Sequence, residues 1–235
     1  MRRVTSPQLQ GETPTVQLAL NNALSTLLRT PIETYGASRT DEGVHALSNY
    51  YHFDVATEIT FDLLYKMNAI LSSGVAAKRL LLVADDFNVR FAAKSRLYRY
   101  RICNLRNPFL VDKVYFFPLK LDEELLHSTA AIIPEYTTFS SFCKRRSQSK
   151  THECKILQSR WERNGEELHY IVEGNRFLRG MVRGLVGTQL QVARGKMSLA
   201  DFRQVIEAQD CTKAFFDVPG HGLYLERLEY GEGVF

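Results

Sequence analysis

Asp41 is preceded by Arg39 and Thr40 and followed by Gly43 and His45, and apolar runs flank the whole segment Ser38–Ala46. A buried strand has no use for this carboxylate, and a solvated loop has no need of such apolar neighbours. One reading is a carboxylate at the mouth of a cleft, with Arg39 near enough to keep it ionised. The other is a strand-to-loop turn in which Asp41 accepts from backbone N–H groups. The nonapeptide alone is compatible with both.

Two further segments carry chemistry. Lys94–Arg101 packs four cations and two tyrosines into eight residues. On a strand, Tyr98, Tyr100 and Ile102 share one face and Leu97, Arg99 and Arg101 the other. Cations suit phosphates, and an aromatic face suits a base lifted from its stack. An edge strand whose charges deter foreign pairing would look the same. In the second segment, Arg176, Arg179 and Arg183 recur three and four residues apart beside the apolar rows Phe177, Met181, Leu185 and Leu178, Val182, Val186. Gly180, Gly184 and Gly187 each weaken a helix by about 1 kcal/mol relative to Ala, so another backbone is expected to come close. An arginine between apolar rows needs a carboxylate, for which Asp41 is the candidate, or the three arginines form a solvated stripe. The loop from Lys144 to Lys150 is a further basic cluster.

A metal site is the weaker alternative. Asp41, His45, His52 and Asp54 supply ligand types, but the segment does not read as a helix and His152 and Cys154 lack a mate at zinc spacing, so no metal is expected. Neither a phosphate-binding nor a dinucleotide glycine motif is present, nor a nucleophile elbow.

These residues need elements to hold them. The 235 residues suffice for one large domain or two smaller ones, and the net charge of +4 is mildly basic. Met1-Arg2-Arg3 is followed by polar residues, with no leader peptide and no membrane span, and the four cysteines lack paired spacing, which fits a cytoplasmic protein. Periodicity predicts a helix from Thr15, ended by Pro31, then strands over 32–38 and 49–55, a helix over 60–71 on Phe61, Leu64, Tyr65 and Asn68, and a short buried strand over 79–84. A strand over 95–104 follows, with Asn107-Pro108 as a domain link. Beyond it come a helix over 122–132, two strands near 155–162 and 167–173 joined at Asn164-Gly165, helices over 177–193 and 199–208, and a closing strand over 223–230. The order is mixed α and β with antiparallel pairing.

In this order, the three segments resemble the tRNA pseudouridine synthase A family. Its signature stands here as Arg39-Thr40-Asp41-Glu42-Gly43-Val44-His45-Ala46. Its arginine-rich Tyr-x-Tyr strand matches Arg96-Leu97-Tyr98-Arg99-Tyr100, and its Phe-Leu-x-x-Met-Val-Arg helix matches Phe177 to Arg183. Phe87-x-x-Arg90-Phe91, Phe139-Ser140-Ser141-Phe142 and Gly222-Leu223-Tyr224-Leu225 add to the likeness. The resemblance implies an α+β fold of two α/β halves, with antiparallel sheets flanked by helices and a central basic cleft. The half over 1–105 carries the catalytic aspartate and the half over 106–235 carries the arginine helix. It implies a homodimeric isomerase that acts without cofactor on the anticodon stem-loop of tRNA, at positions 38–40. Asp41 is the implied nucleophile, Tyr98 stacks near the flipped base and Arg183 pairs with the catalytic carboxylate. Substrate contacts are expected from Arg39, Thr40, His45, Arg99, Arg101 and Arg179.

Two departures stand out. Family members open with a strand carrying Tyr-Asp-Gly-Thr and then Gly-Trp-Gln, whereas this sequence reaches the family's Thr-Val-Gln at Thr15 and has its one tryptophan at Trp161, so an amino-terminal strand is expected to be missing. Asn49 stands where the family often has glutamine. A non-catalytic tRNA-binding protein derived from the family and a metal-dependent hydrolase are the competing readings.

Overall fold

Val16 to Leu28 form the first helix because Thr15 caps it and Arg29, at φ 55°, turns the chain out of it before Pro31. The computed structural model describes residues 15–56, 58–59, 62–145, 147 and 149–235, and the expected loss of an amino-terminal strand lies outside them. The chain divides into two compact units, both discontinuous in sequence. The first comprises 1–43, 49–94 and 230–235, the second 44–48 and 95–229.

In the first unit, α1 (Val16–Leu28) packs against α2 (Leu63–Ile70) through Leu20, Leu24, Ile32, Leu63 and Met67. The strands β1 (Tyr35–Gly36) and β3 (Tyr51–His52) pair antiparallel, Gly36 opposite Tyr51. A Cβ on Gly36 would meet the Tyr51 ring at 2.9 Å. Both strands are much shorter than the predicted 32–38 and 49–55. Residues 79–84 form no strand at all, and Leu82 is 99% exposed. Four apolar residues in a row make a buried strand only where a partner supplies a ladder, and among the described residues none pairs there. The buried face of α2 runs through Leu63 and Met67, while Tyr65 is exposed. Phe61 lies outside the described residues. Tyr230 and Phe235 return to pack on Tyr50 and Phe87.

The second unit is built on a sheet ordered β2-β8-β4-β7-β6, with β5 added to β4. Its strands are β2 (His45–Ala46), β4 (Ser95–Cys103), β5 (Tyr115–Phe116), β6 (Ile156–Asn164), β7 (Glu167–Gly174) and β8 (Leu223–Glu229). The long strands run antiparallel, and β2 on β8 and β5 on β4 are short parallel additions. The sequence division at 105/106 leaves β4 with the first half, but hydrogen bonds to β7 on one side and β8 on the other draw it into this sheet. β6 and β7 form a hairpin turned at Gly165, whose φ of 59° suits glycine.

Three helices, α3 (Glu123–Ile132), α4 (Met181–Ala193) and α5 (Leu199–Glu207), complete this unit. Trp161 of β6 donates to Gln189 of α4 over 2.8 Å, fixing sheet to helix. The same sheet face buries Tyr100 and Tyr170 completely. α4 begins four residues later than the predicted 177, because Gly180 sits at φ 74° and cannot continue a helix. Arg176 and Arg179 therefore lie in the loop ahead of it, and the three arginines do not form one helical stripe. The expected close approach does occur. A Cβ on Gly187 would stand 2.2 Å from the Phe215 carbonyl oxygen, and one on Gly184 would stand 2.7 Å from the Phe216 ring.

The opposite face of this sheet is a lattice of ion pairs. Arg101 grips Glu167 with two bonds of 2.8 Å, and Glu167 also binds His169, itself only 3% exposed. Arg99 reaches Glu226 at 3.0 Å, Glu162 at 3.4 Å and His169 Nδ1 at 3.0 Å. The Arg101 guanidinium, followed by His169, holds the Glu167 carboxyl below its ordinary value of 4.5 against a desolvation that opposes it.

Two outcomes follow from this packing. In an open helix Gly→Ala gains about 1 kcal/mol. Gly187→Ala is instead expected to lose about 1–3 kcal/mol in urea unfolding, since backbone blocks the new methyl; a stabilised variant would refute the close approach. Glu167→Gln is expected to cost about 1–3 kcal/mol at neutral pH. Because folding depresses this pKa, the difference from wild type should be whole above 4.5 and fade as pH falls through the folded value. Unfolding curves at pH 7 and pH 3 measure it, and an equal difference at both would contradict the pairing.

Candidate active site

In the first unit, the residues Arg39, Thr40 and Asp41 stand in an irregular segment that leaves β1. Ala37 N donates to the Tyr50 carbonyl over 2.9 Å and Asn49 Nδ2 to the Ser38 carbonyl over 3.0 Å. These two bonds close the base of the segment, and the second gives Asn49 a bracing role that glutamine, one methylene longer, would fill differently. Gly43, at φ 77°, then reverses the chain. Arg39 is exposed, while Thr40 and Asp41 are half-buried. A carboxylate so placed is neither a strand residue nor a fully solvated one.

The other predicted site residues discussed here lie in the second unit. Tyr98 on β4 is 8% exposed and meets the Phe177 ring edge-on at 5.1 Å. Arg183, in the first turn of α4, is half-buried and donates from Nε to the Val218 carbonyl over 2.8 Å. The next carbonyl, of Pro219, accepts from the Tyr100 hydroxyl over 2.8 Å. Burial raises the Tyr100 phenol far above its ordinary value, so it stays a neutral donor. Helix α4 and strand β4 are thus tied to the same two peptides. A guanidinium is planar, so fixing Nε also fixes the plane in which its other donors act.

Arg179 is exposed, and its carbonyl accepts from Lys144 N over 2.9 Å. The Lys144 side chain lies over Gly180, where a Cβ would meet it at 2.8 Å, and its ammonium stands 5.9 Å from the Phe216 ring. The basic loop thereby lies beside the start of α4, although Arg146 and Gln148 fall outside the described residues. Arg99 and Arg101 share one strand face, as their alternation predicts, and both are held by carboxylates. Their partners Glu162, Glu167 and Glu226 escaped the sequence reading. The signal was present in the β6–β7 hairpin, whose register sets Glu167 and His169 against Cys103 and Arg101. Phe177, predicted within the helix in one apolar row with Met181 and Leu185, lies ahead of α4 and buttresses Tyr98.

His45 lies in the second unit, stacked on Tyr224 with ring centroids 4.6 Å apart. His52 lies in the first unit, stacked on Tyr35 at 5.3 Å. Among the described residues no group of three or more His, Cys, Asp or Glu side chains is placed to hold a metal ion, and the four cysteines are unbonded. No helix among the described residues is long and apolar enough to cross a membrane.

The model of a family described as tRNA pseudouridine synthase matches residues 137–231. Over nearly its whole length the chain is similar to proteins named tRNA pseudouridine synthase A. The one from Parabacteroides distasonis is 38% identical over 231 residues, covering 97% of this chain and 91% of that protein. The one from Porphyromonas gingivalis is 36% identical over 238 residues, covering 99% and 94%. The one from Bacillus licheniformis is 33% identical over 228 residues, covering 95% and 92%. Such identity, sustained across both units, shows that the chain belongs to the tRNA pseudouridine synthase A family.

Proposed function

We propose that this chain converts uridine to pseudouridine in the anticodon stem-loop of tRNA, at positions 38–40, with Asp41 as nucleophile. Its family makes it an isomerase, a tRNA pseudouridine synthase. The reaction breaks the bond between N1 of the uracil and C1′ of the ribose and makes one between C5 and C1′. The proton on C5 is given up and N1 gains one, so atoms and electrons balance within the nucleotide. Such an isomerisation needs no redox partner and no group carrier.

The observation that carries the reading is the placement of Asp41, half-buried in a braced, irregular segment that begins at the exposed Arg39. A nucleophilic carboxylate must be presented on a loop, and the Arg183 guanidinium is its proposed partner. The target base leaves its stack at a cost of a few kcal/mol, and stacking near Tyr98 with cationic contacts to phosphate offset it. Arg39 and Arg179, both exposed, are the proposed phosphate contacts, with Thr40 beside them. Arg99 and Arg101 would reach the RNA only by sharing their carboxylates, so their proposed part is to set the charge of that sheet face. A homodimer and a cytoplasmic setting complete the proposal.

The test is pseudouridine mapping on tRNA. Asp41→Ala and Asp41→Asn are expected to lower turnover on the order of 10³-fold or more while the Kd for tRNA stays within about threefold; full turnover by either variant would overturn the mechanism. Arg183→Lys keeps the charge but loses the planar fork, and a fall in kcat of about 10²-fold with little change in KM is expected. An unchanged kcat would remove Arg183 from the site.

A further inference from the structure

We propose that His45 is a positioning residue that holds the carboxyl end of the Asp41 segment in place, and not a contact to the substrate. The inference rests on the reading of Asp41 as the reacting group. The family signature is one run in sequence, but its parts belong to different units: residues up to Gly43 to the first, Val44 to Ser48 to the second. The crossing is made by β2, two residues long and paired parallel to β8 with His45 opposite Tyr224, extended by one bond of 2.8 Å from Leu47 N to the Leu225 carbonyl. Two residues of ladder hold a strand poorly unless side chains add to them.

His45 adds in two ways. Its ring stacks on Tyr224 at 4.6 Å with planes 21° apart, and its Nε2 stands 2.9 Å from the Asp112 carbonyl oxygen. A carbonyl can only accept, so Nε2 carries the hydrogen. The Tyr224 hydroxyl donates to the next carbonyl, of Lys113, over 2.6 Å. Adjacent peptides of one turn therefore receive two stacked rings from neighbouring strands. Asp112 sits at φ 60°, a conformation seldom kept by a residue other than glycine, and it is the residue whose carbonyl His45 takes. The Arg101 guanidinium also lies 5.4 Å from the Tyr224 ring centroid and is itself pinned by Glu167. With Nε2 and a ring face engaged in this way, the imidazole anchors the carboxyl end of a segment whose other end is closed by Asn49 and Ala37. Only Glu42, Gly43 and Val44 separate it from Asp41.

The roles of ring and donor can be separated. His45→Phe keeps the stack and His45→Gln keeps a donor, whereas His45→Ala keeps neither. Steady-state and single-turnover pseudouridine formation on tRNA would be measured for each, with Asp41→Ala alongside, at a temperature where circular dichroism shows every variant folded. His45→Ala is expected to lower kcat on the order of 10- to 100-fold with KM and the Kd for tRNA within about threefold, because a misplaced nucleophile loses rate and not binding. Phe and Gln should each restore part of the loss. Tyr224→Phe should lower kcat by a smaller factor and add nothing to His45→Ala, since both loosen one anchor. A raised KM with kcat unchanged, no rescue by either conservative variant, or strict additivity with Tyr224→Phe would overturn the proposal. Should His45→Ala fail to fold, the Phe, Gln and Tyr224→Phe variants decide it by the same criteria. Turnover by Asp41→Ala would instead refute the nucleophile itself, whatever the His45 variants do.

Discussion

Two consecutive peptide carbonyls, of Val218 and Pro219, receive the Arg183 Nε–H and the Tyr100 hydroxyl, each at 2.8 Å. The aim of the guanidinium depends on this pair of bonds. Tyr100 is fully buried on the central strand of the sheet, so its hydroxyl cannot move without the sheet. Arg183 sits in the first turn of a helix pressed so closely on 215–216 that two glycines are needed along it. Strand, helix and loop thus fix one another, and a planar cation at their meeting point inherits their rigidity. The turn at Asp112 and Lys113 repeats the device, with consecutive carbonyls holding His45 and Tyr224. Both anchor irregular backbone by its own acceptors.

The second unit was largely legible in the sequence. The helices expected over 122–132 and 199–208 form within one residue of those bounds, Asn164-Gly165 turns its hairpin, and the alternation of Ser95–Cys103 sorts Tyr98 and Tyr100 from Arg99 and Arg101. The three glycines of the 180–187 stretch were read as a sign of close approach. Gly187 does meet another backbone, Gly184 is met by phenylalanine rings instead, and Gly180 is a left-handed turn that delays the helix. What failed was local pattern read without its partner. The apolar run at 79–84 has the composition of a buried strand, yet Leu82 lies in solvent because no described strand offers it a ladder. Helix α2 was placed correctly but rotated in phase, since Tyr65 and Leu64 look as apolar as the Leu63 and Met67 that are buried.

The candidate site was proposed from its residue types, and its electrostatics were not legible in the sequence. A strand reading Arg-Leu-Tyr-Arg-Tyr-Arg suggests a bare cationic face. The glutamates that occupy it come from β6, β7 and β8, sixty and more residues away, so they show only once the strands are set in register. A net charge of +4 therefore says little about where RNA would be drawn. The cations set on loops, Arg39, Lys144 and Arg179, are placed differently from those woven into the sheet. His45 shows the opposite lesson: a histidine in a catalytic signature invites a chemical role, and its stack and hydrogen bond tie it to the scaffold.

The central proposal is that the Asp41 carboxylate reacts with the uridine, with the Arg183 guanidinium of α4 as its partner. The most direct measurement is an experimentally determined structure of the chain bound to a tRNA anticodon arm. The account predicts the target base out of its stack, an Asp41 oxygen about 3–3.5 Å from the reacting atom of the nucleotide, and Arg183 nitrogens about 2.7–2.9 Å from that carboxylate. An extruded uridine facing another side chain, with Asp41 and Arg183 beyond hydrogen-bonding reach of each other, would contradict it.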